Sequence, residues 1–174
     1  MRKTRQFHPT RYDLLEDRLV LSRITIAASP PPGNTQTINP KLIVTPYRIE
    51  SVKAGITRAF SNFEQLVIVA RANLDAGKTK QAQFDKSVLR HLGVLAAQVQ
   101  IQAARLPFGA RDLYPRLEGQ VLDLAGQVRA VGGRIGNNAT YFAGLNAATS
   151  VDSYVSEGFA SGKFYDSTKV HWTH

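Results

Sequence analysis

The sequence predicts an all-α protein: an antiparallel bundle of three long helices plus a short C-terminal helix, with a disordered N-terminal leader and linker. Three observations carry this. Apolar residues recur at alternating three- and four-residue steps over three long segments between residues 46 and 131, the spacing of a core-facing helical stripe. Short Gly- or Pro-bearing breaks separate those segments, and short connections between helices favour antiparallel neighbours. The 174 residues are 43% hydrophobic and 20% charged, an ordinary balance for a folded domain with a sizeable core.

Residues 1–29 form the first segment. Arg2, Lys3 and Arg5 make a basic start like that of an export signal, but Ser22-Arg23 interrupts the apolar stretch that should follow, which argues against an ordinary cleaved signal peptide. Phe7-x-Pro9 precedes Leu15-Glu16-Asp17-Arg18-Leu19-Val20-Leu21-Ser22. This stretch resembles the LEPR-x-LL N-terminal segment that opens many otherwise unrelated bacterial proteins, most of them predicted to be exported or at the cell surface. Leu15, Glu16, Arg18, Leu19 and Leu21 match the pattern. Asp17 stands where the pattern has Pro, and Val20 is an accepted variant. The resemblance spans residues 7–22 and implies an address, exported to the envelope or medium, without implying anything about the rest of the chain. Were the match accidental, the expected address would be cytoplasmic.

Residues 30–45 read as a linker. Five of the eight prolines fall between positions 30 and 46, among Asn, Thr and Gln, a composition that favours extended, polar chain. Thr45-Pro46 then has the form of an N-cap followed by proline at the first helical position. The bundle domain is expected over 46–162.

The first helix carries Ile49, Val52, Ile56, Ala59, Phe63, Leu66 and Ala70 on one seam, with Glu64 off it. Around Leu66-Val67-Ile68-Val69-Ala70 it is apolar on every face, which predicts a central helix covered from several sides. A buried strand is the competing reading of so short an apolar run; the three-four pattern continuing on both sides favours helix. Gly77 suits the left-handed position that ends a helix. A second helix is expected from about 79 to 105, with Phe84, Val88, Leu92, Leu95, Val99 and Ala103 inward. Its latter half is rich in Ala and Gln. A third runs from about 111 to 131 on Leu113, Leu117, Val121, Leu124, Val128 and Val131, with Pro115 early enough to be tolerated. Residues 134–148 read as loop or weak helix. Thr149-Ser150-Val151-Asp152 has the form of a capping box, opening a short helix with Val151, Tyr154, Val155 and Phe159 inward. Residues 163–174 are left as a tail.

Lys and Arg outnumber acidic residues 22 to 13, a net charge of +9. Residues 1–23 account for +3 of it and the remainder for +6, with signs interspersed. That balance favours solvated helix faces, with weak binding to anionic polymers as a secondary consequence. There is no cysteine, which excludes disulfides and thiolate chemistry. No apolar run approaches the roughly 20 residues of a membrane span.

Candidate chemistry is thin. Gly77-Lys78-Thr79 has the closing letters of a phosphate-binding loop, but Ala72 replaces the required glycine and a helix, not a strand, precedes it. His171 and His174 have no further ligand in view for a metal. His91 borders the apolar face of the second helix. Asn138-Ala139-Thr140 is a formal glycosylation sequon. Tyr47, Phe60, Tyr114, Tyr141, Tyr154 and Tyr165 interleave with basic residues in a way that would suit base stacking, though core and rim positions suit them better. No cofactor and no catalytic or metal site is implied.

The expected function is therefore that of a non-enzymatic exported or cell-envelope helical protein acting through its surface, by self-association or with another envelope component. The alternative is a basic helical module for nucleic acid or acidic polymers.

Overall fold

The structure, a computed structural model, describes residues 24–26, 39–130, 135 and 138–172. The targeting motif Leu15, Glu16, Arg18, Leu19 and Leu21 lies outside the described residues, as does Val131. Four α-helices dominate: α1 (Pro46–Asp75), α2 (Gln81–Ala103), α3 (Tyr114–Ala130) and α4 (Ala139–Ala160). Two small strand pairs accompany them. β1 (Ile24–Ile26) pairs antiparallel with β4 (Val170–Trp172), and β2 (Ile43–Val44) pairs parallel with β3 (Tyr165–Asp166).

The helix ends follow local chemistry. Thr45 Oγ1 accepts the Arg48 N–H at 3.1 Å with Pro46 at the first position of α1, so one orphan donor is satisfied and another is absent. At the far end Gly77 adopts φ +68°, and Lys78 N–H returns to the Asn73 carbonyl at 2.9 Å, a Schellman closure that needs a residue tolerant of left-handed backbone. Between α2 and α3 the chain makes a turn at Leu106-Pro107-Phe108 and a π-helical segment, Gly109–Leu113. There Gly109 lies against the Ala103 carbonyl so closely that a Cβ would overlap it.

The core collects the stripes of all four helices: Val52, Ile56, Phe60 and Phe63 from α1, Phe84, Leu95 and Val99 from α2, Leu117 and Leu124 from α3, and Val151 and Val155 from α4. Pairings between helices run in opposite sequence order. As α1 advances from Lys53 to Glu64, its α4 partner recedes from Asp152 to Thr140. Against α2, Gly55 meets Gln102 whereas Arg71 lies over the Phe84 ring. Between α3 and α4, Arg116 meets Glu157, whereas Asp123 and Gln127, further along α3, share a cleft with Ala139 and Ala143, earlier in α4.

Three expectations require correction. The C-terminal helix is not short: α4 has 22 residues and begins at Ala139. Thr149 is not a cap but an interior residue whose Oγ1 donates to the Leu145 carbonyl. The Gly-, Asn- and Ala-rich stretch is helical because its small residues are useful in contact. Gly144, with Thr140, Ala147 and Ala148, is buried, and a Cβ at 144 would sit only 3.5 Å from Phe60 Cβ, so α4 approaches α1 closely there.

Second, α1 is not covered on all sides. Val67 is buried, but Leu66, Ile68 and Val69 are exposed. Leu66, placed on the inward seam by its spacing, lies at the rim, and Phe60 contributes to the core instead. A strict 3.5-residue stripe drifts around a straight helix of 3.6 residues per turn, and a helix in a four-membered ring has an outer side.

Third, the end of the segment assigned to the linker is structured. Asn39 Oδ1 accepts the Lys41 N–H at 3.0 Å at the start of a 3-10 turn, and Val44 belongs to the core. Residues 163–172, set apart above as a tail, bring Phe164 into the same core, while Val170 packs with Ile43 and Tyr165.

Candidate functional site

The functional question comes down to what the outer surface offers. On the side of α2 that borders α1, His91, Val94 and Gln98 face Ala59, Asn62 and Leu66 across a cleft of about 350 Å³, floored by Phe63 and Leu95. Leu66 is 42% and Val94 45% exposed at its mouth. One turn on along α1, Val69 is 59% exposed. The stripe Asn62, Leu66, Val69 therefore points away from the core with an apolar centre.

The face continues onto α4. Tyr141, Leu145, Ala148 and Asp152 fall at i, i+4, i+7 and i+11, one stripe of a helix. Asp152 ion-pairs with Lys53 of α1 at 3.1 Å and Ala148 lines a cleft with Thr57, Arg58 and Ser61, so the stripe borders α1. Tyr141 and Leu145 are both exposed, and the Tyr141 ring meets Phe142 edge-on at 5.5 Å.

Charge gathers at one end of this face, where Lys53, Arg58 and Asp152 lie, and is sparse toward Leu66, Val94 and Tyr141. No Asp, Glu, Lys or Arg occurs from 92 to 104 or from 139 to 151. Between Asn62 and Ala70 the one charged residue is Glu64, whose carboxylate accepts the buried Thr140 hydroxyl at 2.5 Å. His91 is held toward its neutral form, because burial disfavours its charge and Arg90 repels it; its Nε2 lies 3.2 Å from Ser87 Oγ.

No family model, curated protein or solved structure matches the chain.

A second cluster sits where α3 and α4 meet the turn after α2. Arg116 donates two hydrogen bonds to the Glu157 carboxylate, at 2.9 and 2.7 Å. The pair raises the Arg116 pKa and holds Glu157 below the usual carboxylate range. Beside them the Tyr154 hydroxyl donates to the Pro107 carbonyl. Burial, with Asp112 adding repulsion against the phenolate, pushes Tyr154 up to about 12. Asp112, Arg116, Glu157 and Lys163 line a shallow cleft there with their charges balanced, and each hydrogen bond locks chain segments together. This is the chemistry of a structural clasp.

The other residues singled out in the sequence fall in unlike places. Gly77-Lys78-Thr79 is the helix-ending turn. Tyr47 and Tyr141 are exposed, while Phe60 and Tyr154 are buried, so the aromatics form no stacking platform. His171 lies in β4. Among the described residues no group of three His, Cys, Asp or Glu side chains could hold a metal, and no helix is long and apolar enough to cross a membrane. Thr140 of the sequon is buried. What sequence reasoning missed is the outer face, and its signal was present: two long runs without a charge, 92–104 and 135–151, in a chain of net +9.

Proposed function

We propose that this chain is an antiparallel helical bundle serving as a non-enzymatic exported or cell-envelope protein that acts through its surface. The opposite order of the α1–α4, α1–α2 and α3–α4 pairings supports the antiparallel arrangement. The observation that carries the functional reading is the charge-poor apolar face of α1, α2 and α4. Large exposed apolar patches on soluble proteins mark places where something binds, and His91 is the group with a shifted pKa that lines the cleft on this face. The resemblance of residues 7–22 to an export-type segment supports the address.

The reading as a basic module for nucleic acid or acidic polymers has less behind it. Lys53, Arg71 and Arg116 each have a carboxylate partner within 3.1 Å, and the other basic residues are spread over α1, α2, α3 and the turns. Backbone phosphate contacts need basic groups gathered along one surface.

Fractionation tests the address. In a bacterial host the full chain is expected in the envelope or medium, and Glu16→Ala with Arg18→Ala is expected to move it to the cytoplasm. Unchanged fractionation of the double variant would remove the export reading. Sub-micromolar DNA binding that persists at physiological salt would replace the favoured reading with the alternative.

A further inference from the structure

We infer that the uncharged face of α1 is the contact between two copies of this chain, paired about a two-fold axis that passes close to Leu66 and Val69. The inference rests on the reading of that face as an interaction surface and names its occupant.

Charge selects the partner. Two copies of a chain of net +9 repel each other through most of their surfaces, and the penalty grows as the charges approach. It is least where each copy presents no ionic group at all. The outward stripe of α1 between Asn62 and Val69, with Val94 beside it, comes nearest to this: it has no ionic side chain of its own, and Arg58 and Arg90 lie one turn off its edge. A different protein recognising so basic a chain would gain most from acidic groups set against its cations, and this face offers none to meet them.

Geometry agrees. Asn62, Leu66 and Val69 follow one another at steps of four and three, the spacing at which two helices pack along a shared seam. A two-fold axis brings each stripe onto its own copy, so one self-complementary patch suffices. Leu66, Ile68, Val69, Val94, Tyr141 and Leu145 are each between 42% and 60% exposed. Large apolar and aromatic side chains exposed to this extent present on the order of 500 Å², the upper end of what a monomer leaves on its surface. With the Asn and Gln rim, the face approaches the roughly 800 Å² per partner of a standard interface.

Sedimentation analysis of the full chain tests this. Wild type should move from a mass of 19.1 kDa toward twice that value as its concentration rises through the micromolar range. Val69→Glu places two carboxylates against each other across the axis and should weaken pairing at least tenfold, as should Leu66→Glu. Far-UV circular dichroism should be unchanged because both side chains are on the surface. Phe108→Glu, an exposed apolar position away from the face, should leave the mass profile as in wild type. Val69→Glu and Val69→Lys chains should each be monomeric alone and form a dimer when mixed, a rescue that a contact elsewhere would not give. Wild type that stays monomeric throughout, or a dimer whose affinity Val69→Glu leaves unaltered, would overturn the pairing. Either result would leave the address to be judged separately by fractionation.

Discussion

The Phe164 ring lies directly over Gly158 of α4, so that a Cβ at position 158 would overlap the ring. The Phe164 N–H also returns to the Gly158 carbonyl at 3.0 Å, and its ring sits 5.3 Å from that of Tyr154. Gly162, with φ +69°, supplies the left-handed turn between them. These contacts fold the chain after α4 back onto the helix and so deliver Tyr165 and Asp166 to pair with Ile43 and Val44.

Gly158→Ala tests that relationship, because two effects oppose each other there. Alanine in place of an interior helical glycine gains about 0.5–1 kcal/mol by propensity. Overpacking a filled core costs roughly 1–3 kcal/mol, and here the obstructing atoms are a buried ring, so the clash should win. Urea denaturation should show Gly158→Ala to be less stable than wild type. Phe164→Ala alone should cost about 3–5 kcal/mol. In the Phe164→Ala background Gly158→Ala should turn neutral or stabilising. A higher melting temperature for Gly158→Ala in the wild-type chain would mean that the ring does not sit there.

The hydrogen bond from Thr140 to Glu64 joins α1 to α4 across a sequence separation of 76 residues. By its place off the apolar seam, Glu64 would be a surface residue of little consequence. Instead Glu64→Ala should leave the buried Thr140 hydroxyl without an acceptor, at a cost of about 1–3 kcal/mol. Glu64→Gln keeps a carbonyl oxygen and should cost less. Denaturation midpoints of the two variants in one buffer decide it; equal midpoints would argue against the bond.

Tyr154 governs alkaline behaviour. Burial pushes its folded-state pKa up to about 12, above the ordinary tyrosine value of about 10. The unfolded chain therefore loses its proton first. The stabilising contribution is complete below pH 10 and disappears as pH rises from there through about 12. Lys53, whose pKa is also raised, first by its hydrogen bond to Asp152, adds to the decline in the same direction. Tyr154→Phe should remove the tyrosine part of that decline. At neutral pH it should cost about 0.5–1.5 kcal/mol through loss of the bond to Pro107. Parallel stability curves for wild type and Tyr154→Phe between pH 9 and 12 would show that the phenol is not buried as found.

The helices themselves were legible residue by residue. Phe84, Val88, Leu92, Leu95, Val99 and Ala103 are all buried as their spacing requires, and so are Leu113, Leu117, Val121, Leu124 and Val128. Thr45-Pro46 and Gly77 mark the ends of α1 through side-chain and backbone preferences that act within a few residues. The signals that failed were those whose meaning depends on a distant partner. The capping-box letters at Thr149 count for nothing once Gly144 and Ala147 have a helix to pack against. Residues 163–172 have no pattern of their own, because Phe164 is held by Gly158 and β3 by β2.

By itself, then, the sequence determined to within a few residues where helices α1 to α3 lie, how α1 is capped at either end, and which stripes of α2 and α3 turn inward. Those choices rest on period, capping and propensity, which are properties of neighbours along the chain. Only the tertiary structure decided that α4 starts at Ala139, that the chain after Gly162 returns to Ile43–Val44, and which side of α1 stays bare. An apolar run such as Leu66–Val69 states that burial is favourable, but not from how many sides it is achieved. That depends on how many helices surround α1. In the described structure α2 and α4 flank it, leaving Leu66 and Val69 to face outward.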